Sequence, residues 1–212
     1  MLKKILCFCL LLISASALAE ETPPSDLTAQ QQLEAFLNNT SGLSAEFQQK
    51  LQDQYGYLLQ QSAGTFRMQR PGKFRWDYIL PYPQNIISNG KKIWMYDAEL
   101  EQVNVKPYSQ MLASSPISLL DKKQKLSVEF NIESMPSDKN HQWVKLIPKA
   151  TESDFKEMRV GLQNGKIKLM QFIDNFEQKT EISFKHLKVN PEFKDSDFEF
   201  IIPQGTDVVG DF

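Results

Sequence analysis

From Gly64 onward, apolar residues recur at every second position. GTFRM (64–68) alternates through Phe66 and Met68. KFRWDY (73–78) sets Phe74, Trp76 and Tyr78 on one face and Arg75 and Asp77 on the other, the spacing of half-buried strands. PYP (81–83) breaks the run. NIISNGKKIWMYD (85–97) is two apolar runs about Asn89-Gly90, a strong hairpin signal, and EQVNVKPY (101–108) adds Val103 and Val105. Four more runs keep the pattern: KLSVEFNI (125–132), where Leu126, Val128, Phe130 and Ile132 alternate strictly, then QWVKLIP (142–148), FKEMRVGL (155–162) and KIKLMQFID (166–174). The last two meet at Asn164-Gly165. TEISFKHLKV (180–189) and FEFIIP (198–203) close the series.

Upstream the period is helical. Asp26 or Thr28 is placed to cap a segment with Leu33, Phe36 and Leu37 on one stripe, stopped near Gly42. A second short segment of that region carries Leu43, Phe47 and Leu51. SQMLASSPISLLD (109–121) interrupts the strands. Its apolar residues cannot lie on one continuous helix, because Pro116 removes a backbone donor. The pattern predicts a mainly β (α+β) chain with roughly ten strands. They form a single highly curved antiparallel sheet, with an N-terminal helix and short helices over one face.

The first nineteen residues change the picture of what the mature chain is. MLKK is a short basic start, ILCFCLLLISASA is an apolar stretch too short to span a bilayer, and ALA (17–19) is a small-x-small cleavage site. Residues 1–19 therefore read as a cleavable export signal and 20–212 as one domain. Both cysteines, Cys7 and Cys9, fall in the leader and neither follows the cleavage site, so the mature chain offers no disulfide, thiol nucleophile or acylated N-terminal cysteine. The charge balance is 24 basic against 26 acidic residues, with Lys3 and Lys4 in the leader. Arg67, Arg70, Lys73 and Arg75 lie among aromatics, yet a net acidic chain argues against nucleic acid, which needs a basic excess on one face.

Candidate chemistry is sparse. His141 and His186 make no zinc spacing, and there is no H-E-x-x-H, G-x-S-x-G, Walker or dinucleotide motif. The carboxylates, such as those of KDSDFEF (194–200), fit solvated turns. No enzyme and no cofactor is expected. What remains is an apolar surplus, including 14 Phe, on a sheet with little helix to cover it. Ordinary core explains this; so does a sheet curved around a cavity for an apolar ligand.

A resemblance bears on that choice. The strand RPGKFRW (70–76), then PYPQ, NGKKIWMYD, LEQV and SSPISLL, with SAEFQQK upstream and FEFIIPQGTDVV at the C-terminus, together resemble the LolA family of periplasmic outer-membrane lipoprotein carriers. The family implies an incomplete barrel closed by helices over an apolar cavity. It implies acylated lipoproteins as cargo, an inner-membrane Lol ABC transporter as donor, the receptor LolB as acceptor, and a monomer as working form. By motif position, Arg70 would latch the lid to the barrel. Phe66, Met68, Phe74, Trp76, Trp94 and Tyr96 would line the cavity, and Met111, Leu112, Pro116, Leu119 and Leu120 would form the lid's inner side. The physics fits a carrier: at about 0.8 kcal/mol per CH₂, a triacyl anchor with about 45 such groups would cost roughly 35 kcal/mol exposed to water. Other readings of the same fold are a LolB-like receptor, which needs a cysteine where Glu20 stands, and a periplasmic sensor module, which usually brings a second domain.

Overall fold

The computed structural model describes residues 27–111, 117–121, 125–151 and 153–210; the expected leader, and Leu112 and Pro116 of the expected lid, lie outside them. Helix α1 (Ala29–Asn39) starts on Thr28, whose hydroxyl accepts from the Gln31 N–H while the Gln31 side chain accepts from the Thr28 N–H. This reciprocal cap satisfies two donors that a helix start otherwise leaves open. Leu33, Phe36 and Leu37 are buried on one stripe. Gln32 is buried beside them, its amide donating to the Leu27 carbonyl and to Gln142.

Among the described residues twelve strands form one sheet: β1 (Gly42–Gln52), β2 (Leu58–Gln69), β3 (Lys73–Leu80), β4 (Gln84–Asn89), β5 (Lys92–Asp97), β6 (Gln102–Pro107), β7 (Phe130–Ser134), β8 (Gln142–Pro148), β9 (Phe155–Gln163), β10 (Lys166–Asp174), β11 (Lys179–Val189) and β12 (Asp207–Gly210). The order across the sheet is β12-β6-β5-β4-β3-β2-β1-β11-β10-β9-β8-β7. Among the described residues β12 and β7 are its two edges and do not pair, so the curled sheet stays open as a barrel lacking its last seam.

FEFIIP (198–203) forms no strand, since Phe198 ends a 3₁₀ turn and the closing strand is β12, and three further departures from the sequence pattern have physical causes. The segment with Leu43, Phe47 and Leu51 is a strand, because it is paired on both sides, by β2 and by β11, at the centre of the sheet. Leu126–Glu129 is a helical turn, α4; Leu126 is buried while Val128 is 62% exposed, and the strand begins only at Phe130. The sheet is not wholly antiparallel either, since β12 returns from a long crossing to lie parallel to β6.

Turn chemistry matches the sequence. Asn164 and Gly165 both have positive φ, 51° and 69°, as a two-residue hairpin of this hand requires. Gly72 and Gly90 pack backbone against backbone at the base of the sheet; a Cβ on Gly72 would lie 2.9 Å from the Gly90 Cα and 3.1 Å from the Tyr108 ring.

The inward face holds the core. Leu43, Phe47, Phe66, Met68 and Phe74 on one half face Val144, Leu146, Met158, Val160 and Phe184 on the other, and α1 lies over them. The expected helical interruption between β6 and β7 contains α2 (Tyr108–Met111) and α3 (Ile117–Asp121). Ile117, Leu119, Leu120 and Leu126 complete the cover. On the outer face the C-terminal segment crosses β3 and β4 through a 3₁₀ turn (Asp195–Phe198). There Phe198 is fully buried, and Ile87, Val103 and Val105 are sealed from solvent.

Candidate functional site

Arg70 directly follows β2 and turns back under the helices. Its Nη1 donates to the carbonyls of Leu37 (2.5 Å) and Thr40 (2.6 Å), and its Nε to the carbonyl of Leu120 (2.7 Å). The first two belong to the last turn of α1, where carbonyls lack intrahelical partners and the helix dipole is negative. Two others at that end are met by Thr40 Oγ1, which donates to the Phe36 carbonyl, and by Asn190, which donates to the Asn39 carbonyl. One guanidinium thus joins β2, α1 and α3. Burial lowers the Arg70 pKa from its usual value, with Asp121 opposing the shift. A guanidinium stays charged under such a shift, because its intrinsic pKa is above 12. Among the described residues its Nη2 is buried without a partner.

Asp121, directly after Leu120, forms a second tie. One carboxylate oxygen accepts from the Gly72 N–H at 2.7 Å and the other from the Tyr108 hydroxyl at 2.5 Å. Burial and the bond to Asp121 push the Tyr108 phenol well above its ordinary pKa. Ser88, fully buried, donates to the Gly72 carbonyl and so fixes the turn that presents this N–H. Neither Asp121 nor Tyr108 stands out in the sequence. The only signal is position, one residue past the Leu119-Leu120 pair and at the end of β6.

Beneath this fastening lies an aromatic layer. Phe47 and Phe66 each meet the Trp76 ring, at 5.0 and 4.7 Å between centroids, and Tyr78 meets Phe47 edge-on at 5.1 Å. Gly64 stands opposite Tyr78 and Phe47 in the pairing, and a Cβ there would come within 2.9 Å of the Phe47 ring. Phe66, Met68, Phe74 and Trp76 all belong to this inward face, and Leu119 and Leu120 are buried against the same core. Phe47, Tyr78, Ile86 and Met95 join them, and of these Tyr78 alone lies at period two from a residue singled out by its motif, Trp76.

Trp94 and Tyr96 are elsewhere. Their neighbours Ile93 and Met95 face the core, so the pleat turns these two rings to the outer surface, where both meet Phe200, at 6.3 and 5.5 Å. The expectation that placed them in the cavity wall is corrected by this alternation. Met111 ends α2. Among the described residues no cluster of acidic, histidine or cysteine side chains could hold a metal, and no helix is long and apolar enough to cross a membrane. The arrangement offers a curved apolar surface, a helical cover and a polar fastening between the two.

The profile of the family described as outer membrane lipoprotein carrier protein LolA matches residues 38–201. A protein of Methylococcus capsulatus named outer-membrane lipoprotein carrier protein is 40% identical over 187 residues, 88% of this chain and 90% of its own. One of the same name from Methylobacillus flagellatus is 38% identical over 179 residues, 84% and 87% of the two chains. A crystal structure of an uncharacterized conserved protein from Thermus thermophilus is similar in fold, with a TM-score of 0.54 at 13% identity, over 86% of this chain and 99% of that one.

Proposed function

This chain belongs to the LolA family of outer membrane lipoprotein carrier proteins, and from that premise we infer that it shields the acyl chains of lipoproteins while they cross the periplasm. The observation that carries the reading is Arg70. Its bonds reach both helices that cover the apolar face, so one side chain couples the two parts of the lid. With the lid lifted, Phe66, Met68, Phe74 and Trp76 become a wall for acyl chains, and the lid's own Leu119 and Leu120 swing from core to cargo. The same reading assigns Met111, Leu112 and Pro116 to the lid, the last two lying outside the described residues. Closing the empty lid returns this apolar area to a protein interior, which favours release. The cycle makes and breaks no covalent bond, so it needs no catalytic residue and no cofactor.

The finer reading has the protein exported by a leader at 1–19 and active as the single domain 20–212. It receives cargo from an inner-membrane ABC transporter and passes it to the receptor LolB. The test is incubation with inner-membrane vesicles that carry a labelled lipoprotein, with ATP. A soluble complex of this protein with the lipoprotein is expected. Label that stays in the membrane would end the carrier reading.

A further inference from the structure

The inward face is not uniformly apolar, and its division follows the strand pairing. One cross-strand row runs Phe66, Trp76, Ile86, Met95 and Asn104 over β2 to β6. The next row toward the β1–β2 and β3–β4 hairpin tips reads Gly64, Tyr78, Gln84, Asp97 and Gln102. Beyond it, Gln49 pairs with Ser62. Over the other half of the sheet the row of Gln49 continues as Ile182, Met170, Val160 and Val144, all in the core. Along the Gln49 row, therefore, the wall is amide and hydroxyl on β1 and β2 and aliphatic on β8–β11, while the row of Tyr78, Gln84 and Asp97 meets Phe47 on β1. The polar half is a groove of about 440 Å³ that also includes Tyr82 and Leu100. It opens directly from the apolar layer, because Tyr78 belongs to both: its ring meets Phe47 and its hydroxyl donates to Gln49 at 3.1 Å.

The row at the boundary has two unmet polar atoms. Among the described residues, Trp76 Nε1 and Asn104 Oδ1 are buried with no hydrogen-bond partner. An indole N–H can only donate and a buried one left unpaired is costly, as is a buried amide oxygen. Both stand in a row whose other members are Phe66, Ile86 and Met95, which offer no donor and no acceptor stronger than the Met95 thioether. A bound molecule that brings an acceptor and a donor to this height would satisfy them.

We propose that this boundary row seats the linkage of an acylated N-terminus. An ester carbonyl of the lipid-modified residue accepts from Trp76 Nε1–H. An amide N–H of the same group donates to Asn104. The following peptide lies along Tyr78, Gln84 and Asp97, and the acyl chains run over the aliphatic half of β8–β11. The inference rests on the carrier reading and adds to it a place and an orientation for the cargo's polar junction. The glyceryl esters of a phospholipid offer the same carbonyls without the peptide, so the polar row would distinguish the two lipids.

The test uses the full mature chain with three probes: a synthetic triacylated lipopeptide, its analogue with ether in place of ester links, and a phosphatidylethanolamine of equal chain length. The chain has three tryptophans, and the indole N–H resonance of Trp76 is the one missing from W76F. Lipopeptide binding should shift that resonance. The ether analogue should bind roughly fivefold more weakly, the worth of about one hydrogen bond, and W76F should bind ester and ether alike. Phosphatidylethanolamine should bind about tenfold more weakly than the lipopeptide, for want of contacts to the polar row. An unmoved Trp76 resonance with lipopeptide bound, or equal affinity of the wild-type chain for ester and ether, would overturn the seat. Equal affinity for the phospholipid would overturn the peptide's assignment to the polar row. If no probe bound at all, the carrier reading itself would fall.

Discussion

Gly72 gives its backbone N–H to the carboxylate of Asp121 at 2.7 Å, two residues after Arg70 on one side and one residue after Leu120 on the other. The bond runs beside the Arg70–Leu120 contact, so α3 is held to the base of the sheet at two adjacent points. Asp121→Asn keeps the shape but weakens acceptance from both Gly72 and Tyr108. A loss of about 1–3 kcal/mol is expected in denaturant unfolding, the usual worth of bonds to a charged group. Amide exchange over Ile117–Asp121 should quicken before any change in the strands; unchanged exchange there would show that Asp121 does not hold α3.

Arg70→Leu should keep uptake and slow release. The closed, empty form competes with bound lipid for the apolar face, and Arg70 stabilises only that form. Without its bonds the open, loaded form is favoured. Lipoprotein bound in a vesicle assay should stay near the wild-type amount, while transfer to acceptor membranes bearing the receptor falls severalfold. Transfer at the normal rate would remove the latch from the mechanism. Combined with Asp121→Asn, the effect should be less than additive, since both act on one fastening.

The two faces of β5 separate core from cargo. Trp94→Ala disturbs the outer packing, where the ring meets Phe200 and flanks Ile87 and Val105, so it should lower stability by about 2–4 kcal/mol, the range for truncating a large aromatic that is not wholly buried, and leave acyl binding intact. Trp76→Ala removes a ring from the inward layer and should lower both. Loss of lipid binding in folded Trp94→Ala would place that ring in the wall after all.

Alkaline pH should probe the inward layer. Burial pushes the Tyr78 phenol up to about 12 against an ordinary 10. Below pH 10 it is neutral in both folded and unfolded chains, and its contribution is intact. Between pH 10 and 12 the unfolded chain loses the proton and the folded one keeps it, so stability falls with rising pH. The total is about 2–3 kcal/mol. In Tyr78→Phe this part of the decline should vanish from the difference in unfolding free energy between pH 9 and 12. An identical decline in both proteins would mean that the ring is solvated.

Most of the sheet could be read from the sequence because a strand buried on one face writes its orientation in alternation, as at Phe74, Trp76 and Tyr78. β5 could not be read that way. Ile93, Trp94, Met95 and Tyr96 are all apolar because the core covers one face and the C-terminal segment the other, and a strand covered twice carries no period to say which ring faces in. Leu43, Phe47 and Leu51 are four apart, which suits a helix stripe and one face of a strand equally; only pairing to β2 and β11 decides. Leu126 and Val128 alternate like a strand, yet local tucking of Leu126 into the core wins. Arg70 was legible through its motif. Asp121 was not, since a carboxylate after a leucine pair looks like any helix end until Gly72 and Tyr108 are seen to converge on it.

All three acceptors of Arg70 are main-chain oxygens, which every amino acid supplies. The fastening therefore places no demand on the side chains at positions 37, 40 and 120, only on where the chain passes. Core packing holds Leu37 and Leu120, and the bond to the Phe36 carbonyl holds Thr40, but the latch does not. The residues the latch constrains are instead those that set the path: Arg70 itself and the two glycines that let its turn lie flat against the next.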